Sequence, residues 1–148
     1  MVITNMESQI ATYEDAKLIL KLYELRREAV LRKARHWLIF QFNPKTVEEL
    51  FAVVHGYGSD ENAYFRQVLS YWEMAASLVL HGAVKADLFL DSNGEGLYIY
   101  AKFHALREGY QAKTGRPFMR QTAQLVEKYP TARDMYQTML KSVQAQTS

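Results

Sequence analysis

The sequence predicts an all-α fold, a single irregular bundle of five to seven helices around a central helix at about residues 59–81. Three observations lead to this prediction. Apolar residues recur at helical spacing in several windows. Ser or Thr caps precede these windows, and Gly or Pro closes them. No window of four to eight residues alternates between apolar and polar side chains as a half-buried strand would.

The central helix has the clearest helical pattern in the chain. Ser59 is a favourable N-cap, and Asp60 and Glu61 lie next to the positive end of the helix. Gly82 suits the left-handed residue that closes a helix. With about 100° between successive residues, the apolar side chains form one broad stripe, which comprises Phe65, Val68, Leu69, Trp72, Ala75, Ala76, Val79 and Leu80.

A long first helix is predicted over residues 13–42. Thr12 and Asp15 resemble a capping box, and the Asn43-Pro44 pair ends the helix because the residue before a proline resists the helical conformation. The helix carries two apolar stripes about 100° apart. One contains Leu18, Leu22, Leu25 and Ala29, and the other contains Ile19, Tyr23, Val30, Ala34 and Trp37. Two stripes indicate packing on two sides, by its own domain or by a second copy.

Shorter helices complete the predicted bundle. They are expected over residues 47–54, 97–114, 118–129 and 131–143, with one or two turns over residues 85–90. Residues 1–11 are predicted to be a flexible lead-in, residues 12–143 a single helical domain and residues 144–148 a frayed tail.

Composition narrows the range of functions. The chain has 148 residues, of which 49% are apolar and 23% charged, as in ordinary globular proteins. It has no cysteine, which removes thiol chemistry and fits a reducing compartment, and we therefore expect a cytoplasmic protein. The longest apolar runs are far shorter than the roughly 20 residues of a membrane span. Aromatic residues reach 13%, with ten tyrosines, which indicates either wide margins of the core or an interface.

No catalytic, metal or cofactor motif is recognisable. The four histidines, at positions 36, 55, 81 and 104, do not have the spacing that places two metal ligands on one helix face. No Glu-x-x-His motif is present, which argues against a di-iron helical bundle. We therefore predict no catalytic residue, no bound metal and no cofactor.

A basic run lies in the first helix. Its members are Arg26, Arg27, Arg32, Lys33 and Arg35. A nucleic-acid or anionic-membrane surface would gather such residues on one side. On a helical wheel these five scatter around most of the circumference, and the formal net charge is only +2. Solvated side chains beside the apolar stripes explain the run more simply.

Arg107 falls inside an aromatic stripe of the helix at residues 97–114. A buried guanidinium keeps its charge and needs acceptors. Glu73, at the edge of the central stripe, is the expected partner, so we predict a structural ion pair between Glu73 and Arg107. The alternative is a polar pocket formed by His104, Arg107 and Tyr110.

Part of the sequence resembles an uncharacterised bacterial family, domain of unknown function forty-seven-sixty. The resemblance covers roughly residues 26–130 and depends on an aromatic-Glu-x-x-Ala segment closed by glycine, a short acidic turn and an aromatic helix with an arginine. The matching residues are Trp72, Glu73, Ala76, Gly82, Asp87 and Arg107. It implies an all-helical fold and supports the pairing of Glu73 with Arg107, but it implies no activity.

Three functions follow as hypotheses. The first is a non-enzymatic protein–protein interaction or scaffold module that forms a homodimer. The second is a small-ligand-binding protein or an enzyme that uses a pocket beside Arg107, His104 and Tyr110. The third is a peripheral binder of nucleic acid or of a membrane surface through residues 26–35, and the scatter of the basic side chains argues against it.

Overall fold

The computed structural model describes residues 10–147. In this part of the chain it contains nine α-helices, one π-helical turn and no strand. The elements are α1 (Tyr13–Arg26), α2 (Ala29–His36), the π-helical turn (Trp37–Gln41), α3 (Val47–Val54), α4 (Asp60–Leu80), α5 (Ala86–Ser92), α6 (Glu95–Lys102), α7 (His104–Thr114), α8 (Arg120–Lys128) and α9 (Pro130–Thr147). The all-α class is confirmed, but the described helices number nine because two predicted helices, over residues 13–42 and 97–114, are each broken into two.

Helix α4 is the central helix, as predicted. Ser59 caps it by accepting a hydrogen bond from the backbone N–H of Asn62 at 3.1 Å. It packs against α2, α3 and α8. Most of the predicted stripe is buried, while Leu69 and Leu80 are half-buried at its margins. The long apolar stripe therefore provides the surface that the shorter helices cover.

The prediction of one long first helix is wrong, because the helix is interrupted between Arg26 and Ala29. The Glu28 carboxylate accepts hydrogen bonds from the backbone N–H groups of Val30 at 3.0 Å and Leu31 at 2.9 Å. These bonds, first of all the one from Val30, lower the pKa of Glu28. Glu28 therefore acts as the N-cap of a new helix. The capping box of Thr12 and Asp15, in contrast, is confirmed.

The predicted ends of the domain are only partly described. Residues 1–9 of the expected lead-in and residue 148 lie outside the described residues. Helix α9 extends to Thr147, so residues 144–147 are helical where we expected a frayed tail. Pro130 is its first residue, a position where proline loses no helical hydrogen bond.

Several helix ends are satisfied by polar side chains from other parts of the chain. The fully buried Asn62 donates through Nδ2 to the carbonyl groups of Val53 at 2.8 Å and Val54 at 2.9 Å, at the end of α3. The Asp15 carboxylate accepts from the backbone N–H of Lys85 at 3.1 Å, at the start of α5. Short helices have many unpaired backbone groups, and these long-range bonds pair some of them.

Lys102 plays the same role for the π-helical turn. Its Nζ donates to the carbonyl groups of Leu38 at 2.6 Å and Ile39 at 2.9 Å. Burial lowers the pKa of Lys102 from 10.5 to about 8, because the half-buried ammonium loses hydration. The amine thus joins the end of α6 to the turn that follows α2.

The lowered pKa of Lys102 predicts a pH dependence of stability. Between about pH 8 and pH 10.5 the unfolded chain still binds a proton that folded Lys102 has lost, so the free energy of unfolding should rise with pH. Below this window both states are protonated, and the contribution of Lys102 is constant at its least favourable value.

Urea unfolding of the wild type and of Lys102→Met across this pH range measures the effect. The difference in unfolding free energy between the two proteins should be flat below the window and should then move in favour of the wild type as pH rises. A difference that stays constant throughout would contradict the predicted titration of Lys102.

Candidate functional site

Arg107 lies on α7 and is held between two tyrosines. Its guanidinium carbon is 3.6 Å from the centre of the Tyr100 ring on α6. Its Nη2 donates to the hydroxyl of Tyr136 on α9 and lies 3.0 Å from Nδ1 of His104. Its Nη1 is buried and has no hydrogen-bond partner among the described residues. The arginine therefore ties three helices together through cation–π and hydrogen-bond contacts.

The predicted ion pair between Glu73 and Arg107 is not formed in the structure. The ion pairs of the described residues involve other side chains. Instead, the Glu73 carboxylate accepts from the backbone N–H groups of Gln121 and Thr122, each at 2.9 Å, and from Thr122 Oγ1 at 2.7 Å. Gln121 and Thr122 are the second and third residues of α8, so Glu73 caps this helix from a distant part of the chain.

The start of α8 explains why Glu73 is needed there. The residue at the N-cap position is Met119, which has a φ of 50° and makes no side-chain capping bond. A helix N-terminus has unpaired N–H groups and a partial positive charge, and a carboxylate satisfies both. The predicted pairing is wrong because the partners of the Glu73 carboxylate are backbone N–H groups at a helix N-terminus and not a cationic side chain.

A different ion pair joins two of the helices. Arg35 on α2 contacts Glu95 on α6 through Nε–Oε2 at 2.7 Å and Nη2–Oε1 at 2.8 Å. Trp72 Nε1 also donates to Glu95 Oε2, at 2.9 Å. The hydrogen bonds with Glu95 raise the pKa of Arg35. We missed this pair because Arg35 was assigned to the basic run, although it lies beside the buried Ala34 and one turn after the buried Leu31.

The predicted basic residues do not form one face. Arg35 points inward to Glu95, and the Arg26 guanidinium lies 6.0 Å from the ring centre of Trp72 and 5.2 Å from that of Tyr23. The other three residues, Arg27, Arg32 and Lys33, are exposed. Two of the five cations are thus used to hold helices together, which leaves a smaller charged surface than the run suggests.

The predicted pocket is only partly assembled. An open groove of about 400 Å³ is lined by Tyr100, His104, Ala105, Arg107, Glu108, Gln111, Pro117 and Phe118. His104 and Arg107 therefore share one groove. Tyr110 is not among its lining residues, because its ring stacks on Phe51, with 5.5 Å between the centres, and meets the edge of Phe118. Tyr100 and Tyr136, which hold the guanidinium, were not predicted.

The described residues show neither a metal cluster nor a membrane helix. No group of three or more His, Asp or Glu side chains between residues 10 and 147 is arranged to hold a metal ion. Within the same residues, no helix is long and apolar enough to cross a membrane.

Helix α1 carries several exposed apolar side chains. Tyr13 is 76% exposed and Leu20 is 67% exposed on its outer side, whereas Tyr23 and Leu25 are exposed on its two flanks. On the inner side of the helix, Leu22 and Asp15 are buried. On α1 the two predicted apolar stripes therefore meet the core through Leu22 and, in part, through Leu18 and Ile19, whereas the exposed Tyr13 and Leu20 belong to neither stripe.

Glu73→Gln tests the capping of α8. The amide keeps the size of the side chain but removes the charge and one acceptor, so we expect a loss of about 1–2 kcal/mol of unfolding free energy. The urea midpoint of the variant measures it, with Glu127→Gln as the control, since Glu127 is exposed at the far end of α8. Equal midpoints for the two variants would show that Glu73 does not cap the helix.

Comparison with known proteins gives one match. The family model described as Domain of unknown function (DUF4760) matches residues 11–129. No curated protein and no solved structure matches the chain significantly. The matched range begins before α1 and includes Glu73, Glu95 and Arg107. Because it covers most of the 148 residues, the chain belongs to the DUF4760 family, as its resemblance in sequence indicated.

Proposed function

We propose that this protein is a non-enzymatic interaction module that works by associating with a second copy of itself. The observation that carries the proposal is the exposure of apolar side chains on the outer side of α1, with Leu20 at the middle of the helix and Tyr13 at its start. Single exposed apolar residues are normal on protein surfaces, but several on one helix favour an interface.

The way α1 is attached supports this proposal. The helix packs on α5, and its inner side is fixed by Tyr71, whose hydroxyl donates to the carbonyl of Leu22. Arg35 Nη1 donates to the carbonyl of Arg26 at its end, at 3.1 Å. The helix is therefore held firmly from one side, as a helix must be if its other side is to bind a partner without loss of order.

The distribution of charge favours a second copy over an unrelated partner. The outer side of α1 carries the exposed Lys17 before Leu20 and the exposed Glu24 after it. Two copies of such a helix placed antiparallel bring opposite charges together on both sides of Leu20. We place this proposed homodimer in the cytoplasm, because a chain with no cysteine cannot form the disulfides that an oxidising compartment favours.

Sedimentation velocity over a dilution series tests the proposed self-association. We expect a reversible shift from a species of 17.2 kDa at low concentration to one of twice that mass at high concentration. The midpoint gives the dissociation constant. A single species of the monomer mass at every concentration that stays in solution would refute the proposal.

A second candidate function is the binding of a small carboxylate in the groove beside Arg107. The buried Arg107 Nη1 without a partner favours it, because guanidinium groups bind carboxylates strongly. It ranks second because Arg107 Nη2 is already bonded to His104 and Tyr136, and because Nη1 is buried beneath protein atoms where a ligand has no direct access.

Titration with benzoate, followed by NMR of the backbone amides, tests this second function. Binding should shift the amides of His104 and Glu108, which line the groove, and Arg107→Lys should weaken it about tenfold or more. Arg116→Lys is the control, since Arg116 is exposed and outside the groove. Shifts that are absent in the wild type, or the same in both variants, would exclude the site.

A further inference from the structure

We propose that two copies of the chain bind through α1, with the helices antiparallel and a two-fold axis beside Leu20. The inference rests on the proposed self-association and specifies its surface and orientation. The surface, here named the α1 face, comprises Tyr13, Lys17, Leu20 and Glu24 of α1 together with Arg27, the residue at its C-cap. All five residues are exposed.

Their spacing places these residues along one line of the helix. Successive members are four, three, four and three residues apart, and side chains at this spacing lie one above another. The buried Leu22 and Asp15 lie on the opposite side. The α1 face is therefore a continuous seam directed away from the rest of the bundle, about 20 Å long for a helix of 14 residues.

The order of charges along the seam selects the antiparallel orientation. Leu20 lies at its midpoint, with Lys17 three residues before it and Glu24 four residues after it. A two-fold axis beside Leu20 packs the two leucines together and places each Lys17 opposite Glu24 of the partner subunit. A parallel pair would instead place lysine against lysine and glutamate against glutamate, which is unfavourable. The seam is thus complementary to itself, as a two-fold interface requires.

The ends of the seam match in the same way. Tyr13 and Arg27 are each seven residues from Leu20, so each Tyr13 faces Arg27 of the partner subunit, a pair that forms cation–π contacts. Within one chain, Lys17 lies 5.4 Å from the centre of the Tyr13 ring and Glu24 lies 3.9 Å from Lys21. These contacts are exposed and weak, so they give way to contacts between subunits at little cost.

The central leucine gives the first test. Leu20→Asp places a charge against the same charge on the two-fold axis and should raise the dimer dissociation constant by at least about tenfold, measured by sedimentation. Tyr57→Asp is the matched control, because Tyr57 is 74% exposed but lies outside α1, and it should leave the constant unchanged. Circular dichroism melting checks that both variants remain folded.

The two charges give a sharper test, because each substitution alone makes the seam repel itself. Lys17→Glu leaves only glutamates at these two positions, and Glu24→Lys leaves only lysines, so each variant should dimerise more weakly than the wild type. An equimolar mixture of the two variants should form a heterodimer more tightly than either variant forms a homodimer. In the heterodimer, positions 17 and 24 of the two chains again carry opposite charges.

A matched pair of controls separates this effect from net charge. Lys128→Glu and Glu127→Lys make the same charge changes on exposed residues of α8, and their mixture should show no preference for the heterodimer. Measurement at about 0.15 M salt suppresses long-range attraction between the oppositely changed proteins.

The outcomes distinguish this inference from the function on which it rests. A wild type that remains a monomer would refute both. A wild type that forms a dimer whose dissociation constant does not change with Leu20→Asp would keep the proposed function and refute the α1 face. A mixture of Lys17→Glu and Glu24→Lys with no preferred heterodimer would refute the antiparallel orientation.

Discussion

The pairing of helix ends is the constraint on which this structure depends. The nine helices between residues 10 and 147, most of them short, have many unpaired backbone groups at their ends, and a buried group without a partner is costly. Local caps such as Thr12 and Ser59 pair some of them. The side chains of Glu73, Asn62 and Lys102 bond to backbone groups at the ends of helices or turns other than their own. Each of these bonds also fixes one helix against another, so the polar interior specifies the arrangement of the bundle.

Because helix ends need partners, the charged side chains with low exposure have structural roles. Glu73 neutralises the positive end of α8, and Arg107 contacts a tyrosine hydroxyl, an imidazole and an aromatic face. Among the residues that the structure describes, only Arg35 and Glu95 form an ion pair of low exposure, and Trp72 donates a further hydrogen bond to Glu95. The charged residues that stand out in the sequence are thus explained by architecture, which moves the search for function to the surface.

The same contacts make α1 suitable as a binding element. Its inner side is tied to α4, α5 and the following helix through Tyr71, Lys85 and Arg35. Its outer side makes no contribution to the core. A helix whose backbone is already ordered by the domain does not have to fold when it binds, so association costs less entropy than it would for a disordered segment.

The sequence by itself determined the helical class, the central helix from residue 59 to 81 and several caps, because hydrophobic period and capping are local properties. It also indicated that the first helical segment is apolar on two sides. Only the tertiary structure decided that Glu28 breaks that segment, that Arg35 pairs with Glu95 and that Glu73 caps α8. These contacts depend on which helix ends and charged side chains meet in the folded protein. A helical wheel describes one helix at a time and cannot show such contacts between helices.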